Sequence, residues 1–326
     1  MKRTVSKILL LAACMMAGFG SACCQEVESY VYAERGSTKL KLDVYRPQQP
    51  REDKACVIYV FGGGFKEGSR NNRTSTQDCT MLAERGFTVI SIDYRLRLRT
   101  VNFDTVKLLK AHRLFEEAIA MAVEDCASAI AYVWDHAVAL DIDRENIVLT
   151  GASSGAITVL QLDYCRTNHL SIVDNLPDEF APSAIISYAG AVYCRNGQLK
   201  YSLPPAPTCF VHGTKDRIVN YRRLRGSLHS SLNGSHVLAK TFDKRHYSHW
   251  IMRYKDRGHE AATYLSHTLD EFTAFVDAAL GGRTMFYDMT CEDAALYRTP
   301  YTNFTILDLY KRHPAPHKTN NKSKWK

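Results

Sequence analysis

A serine lies between two glycines in the stretch Gly151-Ala152-Ser153-Ser154-Gly155, which follows a run of apolar and β-branched residues. The pattern G-x-S-x-G is typical of a sharp turn from a strand to a helix, where glycines relieve crowding around a serine that attacks a carbonyl carbon. The same five residues could also form a glycine-rich loop whose serines cap a helix. Ser153 is therefore a candidate nucleophile, and the rest of the chain must decide between the two interpretations.

A serine hydroxyl needs a base that takes its proton and a carboxylate that orients that base. Asp216 ends the apolar run TCFVHGTKD, and His259 follows the next such run in SHWIMRYKDRGHE. Because the carboxyl ends of parallel strands meet at one edge of a sheet, both side chains are expected near Ser153. We therefore predict His259 as the general base and Asp216 as its acid. The alternative for Asp216 is a cap on a helix that begins near Asn220.

Neighbouring titratable residues are rivals for these two roles. His212 precedes Asp216 by only four residues, which leaves little room for it to bridge from that carboxylate to the serine. Asp256 and Glu260 are too close in sequence to His259 to fold back onto its Nδ1 atom. Asp216 and His259 remain the preferred pair.

Three consecutive glycines, Gly62, Gly63 and Gly64, end the apolar segment ACVIYVFGGG. Without Cβ atoms, their backbone N–H groups can approach the oxyanion that forms when a serine attacks an ester. We predict donors at Gly63 and Gly64, completed by the N–H of Ser154, the residue after the nucleophile. Glycine triplets are common in loops, so this pattern gains its meaning only in combination with the others.

Apolar β-branched runs alternate with helical patterns along the chain, which is typical of βαβ units and a largely parallel sheet. The predicted strands lie in the segments SYVYAER, KLKLDVYRP, ACVIYVFGGG, FTVISIDYRL, ENIVLTGAS, SAIISYAGAVY, TCFVHGTKD and SHWIMRYKD. The predicted helices cover residues 76–85, 117–136, 155–168, 220–231 and 260–280. Residues 96–114 are long for a plain connection, and they either cover the site or form a surface excursion.

The formal charge of +8 is concentrated at the two ends of the 326-residue chain. The leader contributes +3 and the last sixteen residues contribute +6, which leaves the body of the chain at −1. This distribution argues against a basic face for nucleic acid. The basic end itself is predicted to be solvated and disordered.

The first residues, MKRTVSKILLLAACMMAGFGSACC, combine a basic start, a short apolar run and small residues, as in a secretory signal peptide. The run is too short to span a membrane well. We therefore predict a signal peptide at 1–24, a main domain at 25–282 and a C-terminal extension at 283–326. We therefore expect the protein to be exported. The alternative is a protein anchored to a membrane through a lipid on Cys14 or Cys23.

Seven cysteines follow residue 24, an odd number without a C-x-x-C pair. That count argues against a full disulfide framework or a zinc site and favours buried thiols with at most one or two bridges. His246 and His249 have H-x-x-H spacing, but no third ligand is evident. The sequence therefore implies no metal and no organic cofactor.

Taken together, these segments resemble the esterase and lipase branch of the α/β-hydrolase superfamily. VIYVFGGGF is similar to its H-G-G-G segment, GASSGA to its nucleophile elbow, and HGTKDRIV and RGHE to its acid and histidine segments. The resemblance covers roughly residues 30–280, with Phe61 where many members have His and Ser154 where many have Ala. It implies an α/β-hydrolase fold with a mostly parallel central sheet of about eight strands and helices on both faces. It also implies Ser153, His259 and Asp216 as the triad.

The resemblance implies a serine carboxylesterase without a cofactor, closest to exported bacterial enzymes that include deacetylases and feruloyl esterases of carbohydrate. HGTKDRIV is also similar to a segment of prolyl-oligopeptidase-type peptidases, although no propeller-length segment precedes the hydrolase pattern. A non-catalytic binding protein on the same fold is the third interpretation, and such proteins usually lack a triad member. The acyl group, the alcohol and the oligomeric state stay open.

Overall fold

The computed structural model describes residues 27–226 and 229–292. The signal peptide, both candidate lipidation sites and most of the C-terminal extension lie outside these residues. Among the described residues, no helix has the length and apolar character needed to cross a bilayer.

The strands and helices alternate as the hydrophobic pattern predicts. The strands are β1 Val27–Arg35, β2 Thr38–Tyr45, β3 Cys56–Val60, β4 Thr88–Ile92, β5 Ile147–Ala152, β6 Ala184–Tyr188, β7 Ala191–Cys194, β8 Thr208–Gly213, β9 Arg223–Arg225, β10 Ser231–Gly234, β11 His249–Tyr254 and β12 Phe286–Cys291. The helices are α1 Arg73–Glu84, α2 Leu108–Asp135, α3 Ala137–Leu140, α4 Ser154–Thr167, α5 Ser235–Arg245 and α6 Leu269–Leu280, with 3₁₀ turns at Arg144–Asn146, Ser171–Val173 and His259–His267.

In the described residues, nine strands form one sheet in the order β1-β2-β4-β3-β5-β6-β8-β11-β12. The β1/β2 and β2/β4 pairs are antiparallel, and all other neighbours are parallel. Strands β3, β4, β5, β6 and β8 are buried along almost their whole length, as expected for parallel strands that are covered on both faces. The predicted α/β-hydrolase fold is confirmed.

The first strand enters the sheet at the edge opposite to the carboxyl ends of the parallel strands. Val27 pairs with Tyr45 of β2, and Tyr45 pairs with Val89 near the start of β4. The chain then runs along β1 toward the carboxyl edge and returns along β2. Because β5, β8 and β11 are all parallel, the residues that follow them collect at the carboxyl edge.

A ninth strand, β12, extends the sheet beyond the strands that the sequence predicts. It pairs in parallel with β11 from His249↔Phe286 to Tyr254↔Cys291. Arg253 of β11 makes a bidentate ion pair with Asp288 of β12 at 2.6 Å. Residues 286–291 of the predicted extension therefore pack on the main sheet.

The helix predicted at 220–231 is wrong. Those residues contribute β9 and the start of β10, which pair with each other and with β7 in a separate three-stranded sheet. Arg223 on β9 donates to the Asn233 side chain on β10 at 2.8 Å, so polar side chains fix the pairing. The helix of this region, α5, begins only at Ser235.

The single helix predicted at 260–280 is two segments. A 3₁₀ helix at His259–His267 is followed by α6, and Thr268 joins them with a non-helical backbone (φ −130°, ψ 25°). The Thr268 hydroxyl lies 2.9 Å from the carbonyl of Tyr264 and 2.8 Å from the hydroxyl of Tyr188. These side-chain bonds compensate for the break in the helix.

Candidate active site

Ser153 occupies the turn between β5 and α4. Its φ of +52° is unusual for a residue with a side chain, and its N–H donates to the carbonyl of Tyr188 at 2.8 Å. A Cβ atom at Gly155 would lie 1.9 Å from the carbonyl oxygen of Val60 on β3. The second glycine of the motif is therefore required because α4 packs directly on the neighbouring strand.

The three residues of the predicted triad lie together. His259 Nε2 is 2.8 Å from Ser153 Oγ, and His259 Nδ1 is 2.7 Å from Asp216 Oδ2. The Asp216 side chain is fully buried, whereas that of His259 is 20% exposed. Because a carboxylate only accepts, Nδ1 carries a proton and Nε2 is free to accept the proton of the serine hydroxyl. The arrangement can activate Ser153 as a nucleophile.

Asp216 is held as a carboxylate by several donors. Its Oδ1 accepts from the N–H groups of Ile218 and Val219 at 2.9 and 3.1 Å. Burial alone raises the pKa of this carboxyl, but the charge of His259 and the hydrogen bonds from His212 and His259 outweigh burial and lower the pKa below its ordinary value. The side chain caps a turn that leads to β9, so the alternative of a helix beginning near Asn220 is wrong.

The rival residues occupy other places. Asp256 forms an ion pair with Lys215 at 2.8 Å. His246 ends α5, and His249 lies in β11 with its Nε2 atom 3.4 Å from Asp243. His212 contacts Asp216 rather than Ser153, with 3.2 Å between its Nε2 and Asp216 Oδ2. The hydrogen bond from His259 Nδ1 to Asp216 therefore selects one acid among the candidates.

The glycine triplet runs directly past the serine turn. A Cβ atom at Gly62 would lie 3.3 Å from Ser153 Cβ and 2.9 Å from the carbonyl of Ala152. Gly63 and Gly64 have φ values of +136° and +62°, and the carbonyl of Gly63 accepts two backbone bonds in the tight turn that follows. The backbone that carries the predicted donors therefore lies beside Ser153, while Ser154 begins α4 one residue later.

Tyr94 is a residue of this site that the sequence argument missed. Its hydroxyl donates to the carbonyl of Phe61 at 2.9 Å and lies 3.2 Å from Ser154 Oγ. Its ring stacks on Phe61 with 4.5 Å between centroids, and burial raises its pKa. Tyr94 thus joins the start of the glycine segment to the residue after Ser153. The available signal is the position of Tyr94 just after a buried parallel strand.

A cavity of about 540 Å³ lies next to the stacked rings of Phe61 and Tyr94. Phe61 and Tyr94 line it together with Arg95, Arg97 and Arg99 from the loop that follows β4. The first part of the predicted excursion therefore borders a cavity, whereas its last part, from Leu108, belongs to α2.

Known proteins with similar sequences include esterases and lipases. The BD-FAE family model matches residues 42–185. Lipase 2 of Moraxella sp. (strain TA144) is 30% identical over 104 residues, which are 32% of this chain and 20% of that protein. Hormone-sensitive lipase of Bos taurus is 26% identical over 195 residues, or 51% of this chain and 23% of that protein. The chain thus spans about a fifth to a quarter of the length of these curated relatives.

Solved structures with the same fold include an esterase of Thermogutta terrifontis. The native form of this esterase 2 has a TM-score of 0.53 and 21% identity, covering 77% of this chain and 91% of the other. The form phosphoramylated by tabun has a TM-score of 0.54 and 21% identity, covering 76% and 94%. The sheet order, the serine turn and these similarities define the α/β-hydrolase fold. In the matched regions the chain is similar to esterases and lipases.

Proposed function

We propose that the protein is a serine carboxylesterase with Ser153 as nucleophile, His259 as general base and acid, and Asp216 as the acid of the triad. The observation that carries the proposal is the continuous hydrogen-bonded line from Ser153 Oγ through both nitrogens of His259 to Asp216 Oδ2, at 2.8 and 2.7 Å. The turn that holds Ser153 gives the hydroxyl its direction, and the buried carboxylate holds the imidazole.

The reaction follows from this geometry. Ser153 Oγ attacks the ester carbonyl while its proton passes to His259 Nε2, and Asp216 stabilises the imidazolium that forms. The N–H groups of Gly63, Gly64 and Ser154 stabilise the oxyanion. His259 then protonates the leaving alcohol, and a water molecule, activated by the same histidine, releases the acid from Ser153.

The natural substrate that we propose is an acylated carbohydrate, with an acetyl or a feruloyl group as the acyl part. The similarity to the BD-FAE family model supports this choice over a peptide. We further propose that residues 1–24 are a signal peptide and that the protein is exported, either free or anchored through a lipid on Cys14 or Cys23. The peptidase and the non-catalytic interpretations remain as outcomes of the test below.

The test is the hydrolysis of 4-nitrophenyl acetate by the wild-type protein and by Ser153→Ala. We expect activity that rises with pH through the range in which imidazolium side chains deprotonate, and a loss of at least about 10³-fold in kcat for the variant. Ser183→Ala is the matched control, because Ser183 lies at the opposite edge of the sheet, where its hydroxyl donates to Glu145.

Equal turnover by wild-type protein and Ser153→Ala would contradict the assignment of the nucleophile. Folded wild-type protein that cleaves a prolyl anilide faster than any ester would favour the peptidase. A second assay with acetylated xylan and methyl ferulate then tests the proposed substrate class.

A further inference from the structure

A second histidine, in addition to His259, contacts the carboxylate of Asp216. His212 is the penultimate residue of β8, and its side chain is completely buried. Its Nε2 atom lies 3.2 Å from Asp216 Oδ2, the same oxygen that accepts from His259. The ester-hydrolysis mechanism above gives this histidine no role.

The contacts of His212 fix which of its nitrogens carries a proton. Nε2 lies 2.9 Å from the carbonyl oxygen of Val219, which can only accept, so Nε2 must donate. The hydroxyl of Ser235 lies 2.7 Å from Nδ1 and holds the other end of the ring. His212 therefore presents an N–H that is shared between Val219 and Asp216.

Other aromatic and charged residues also surround the ring of His212. The ring of Tyr221 packs edge-on against it at 5.5 Å, and Tyr221 is in turn next to His236 at 5.4 Å. Arg253 is its neighbour across the β8/β11 pairing, but the guanidinium of Arg253 binds Asp288 and the hydroxyl of Tyr221. Asp216, with His259 beyond it, is the charged partner of His212.

We propose that His212 is a positioning residue of the triad, whose Nε2–H fixes Asp216 Oδ2 in line with His259 and which is itself fixed by Ser235. This inference rests on the proposed function, because it assigns His212 a part in the same reaction. A carboxylate whose one oxygen accepts from two ring nitrogens cannot rotate away from the imidazole of His259 without also losing the buried hydrogen bond from His212. The contribution is to orientation, so it acts on the chemical step rather than on substrate binding.

The experiment compares His212→Leu, His212→Gln and Ser235→Ala with the wild-type protein. We expect His212→Leu to lower kcat about 10-fold to 100-fold while KM changes less than about twofold. His212→Gln, whose amide nitrogen can take the place of Nε2, should stay within about threefold of wild type. Ser235→Ala should lower kcat at least about threefold, because the ring loses the contact that fixes its orientation.

A second readout separates this inference from the proposed function. Diethyl 4-nitrophenyl phosphate transfers its diethylphosphoryl group to an activated serine and releases 4-nitrophenolate, so its rate reports the reactivity of Ser153 without a carboxylic ester substrate. The rate constant should fall in His212→Leu by the same factor as kcat. The matched control is His249→Gln, since His249 is equally buried but pairs with Asp243, and it should react as fast as wild type.

If folded His212→Leu is phosphorylated at the wild-type rate and keeps the wild-type kcat, the positioning role is overturned and the triad stays intact. If His212→Leu does not fold, unchanged kinetics in Ser235→Ala would overturn the role in the same way. Wild-type protein that takes up no phosphoryl group would overturn the serine mechanism, and the role of His212 with it.

Discussion

Tyr94 links two parts of the candidate site through one hydroxyl, since it donates to the Phe61 carbonyl and contacts Ser154 Oγ. Tyr94→Phe removes both bonds and leaves the buried carbonyl of Phe61 without this donor. We expect kcat for 4-nitrophenyl acetate to fall about tenfold, because the glycine segment after Phe61 loses its anchor. KM should change much less.

Ser154→Ala is the companion variant. It removes only the weaker contact at 3.2 Å and keeps both the backbone N–H and the bond from Tyr94 to Phe61. The expected loss is within about threefold. A larger loss in Ser154→Ala than in Tyr94→Phe would show that the serine hydroxyl, rather than the Phe61 carbonyl, is the important partner of Tyr94.

Asp78 makes stability depend on pH. Burial raises the pKa of its carboxyl from 3.8 to about 6, and the hydrogen bond from Tyr59 at 2.7 Å only partly offsets this effect. The folded protein therefore binds more protons than the unfolded chain between these two values, and stability falls as the pH rises through this window. Asp78→Asn keeps an oxygen for Tyr59 and carries no charge. We expect a gain of about 1 kcal/mol in unfolding free energy at pH 7.5.

Urea unfolding of wild type and Asp78→Asn at pH 4 and pH 7.5 is the measurement. Most of the gain should disappear at pH 4, where the wild-type carboxyl is protonated in the folded protein and about half protonated in the unfolded chain. A gain of equal size at both pH values would assign it to packing instead of charge.

At the residue scale, the order of serine, acid and histidine was enough to find three side chains that the fold brings within hydrogen-bonding distance. Each of them follows a buried strand, so the sequence places them at one edge of the sheet. The contacts of Tyr94 and His212 were not predictable in the same way. Tyr94 meets Ser154 across 60 residues, and His212 meets Ser235 across 23, so neither pair leaves a local pattern.

At the element scale, the serine turn depends on the closeness of α4 to β3. A Cβ atom at Gly155 would overlap the backbone of Val60 and Phe61, which cannot move without disturbing the sheet and the glycine segment. We expect Gly155→Ala to lower the unfolding free energy by about 3 kcal/mol or more and to reduce kcat strongly. Thermal unfolding and ester hydrolysis are the two measurements.

Gly36→Ala is the control for this prediction. Gly36 lies on the turn between β1 and β2. A Cβ atom there would have no neighbouring atom within 4 Å, but its φ is +59°. The expected cost is about 1 kcal/mol from backbone strain alone, without loss of kcat. Equal losses in the two variants would contradict the contact with β3 as the reason for glycine at position 155.

The strands of the main sheet were predictable because parallel strands that are buried on both faces read as continuous apolar runs. The small sheet of β7, β9 and β10 was not. Strand β9 has three residues, all exposed, and it exists because β10 pairs with it on one side and with β7 on the other. The pairing of β10 with β7 joins residues more than 30 positions apart, so it overrides local preference and displaces the helix that the sequence pattern suggested.

At the scale of the whole molecule, no disulfide joins two cysteines of the described residues. Six of them are buried, and Cys291 on β12 is partly exposed. Burial raises the pKa of the Cys56, Cys126 and Cys209 thiols well above the ordinary value, which disfavours the reactive thiolate. We expect one thiol in a chain beginning at residue 25 to react rapidly with Ellman's reagent in the native protein, and seven to react in guanidinium chloride.

Fewer than seven thiols after denaturation without reductant would show a disulfide and contradict this expectation. Cys291→Ser is the variant that identifies the rapid thiol. Its native protein should show no fast reaction, and its denatured chain should lose one equivalent.

The pairing of Val27 with Tyr45, and of Tyr45 with the start of β4, has a consequence for how the protein meets its surroundings. Strand β1 therefore begins at the edge of the sheet opposite to the edge that carries Ser153. In the proposed lipid-anchored form, the tether would join the described domain on the side opposite to Ser153. In that form, bulky or polymeric esters would reach Ser153 from solution without passing between the protein and the membrane.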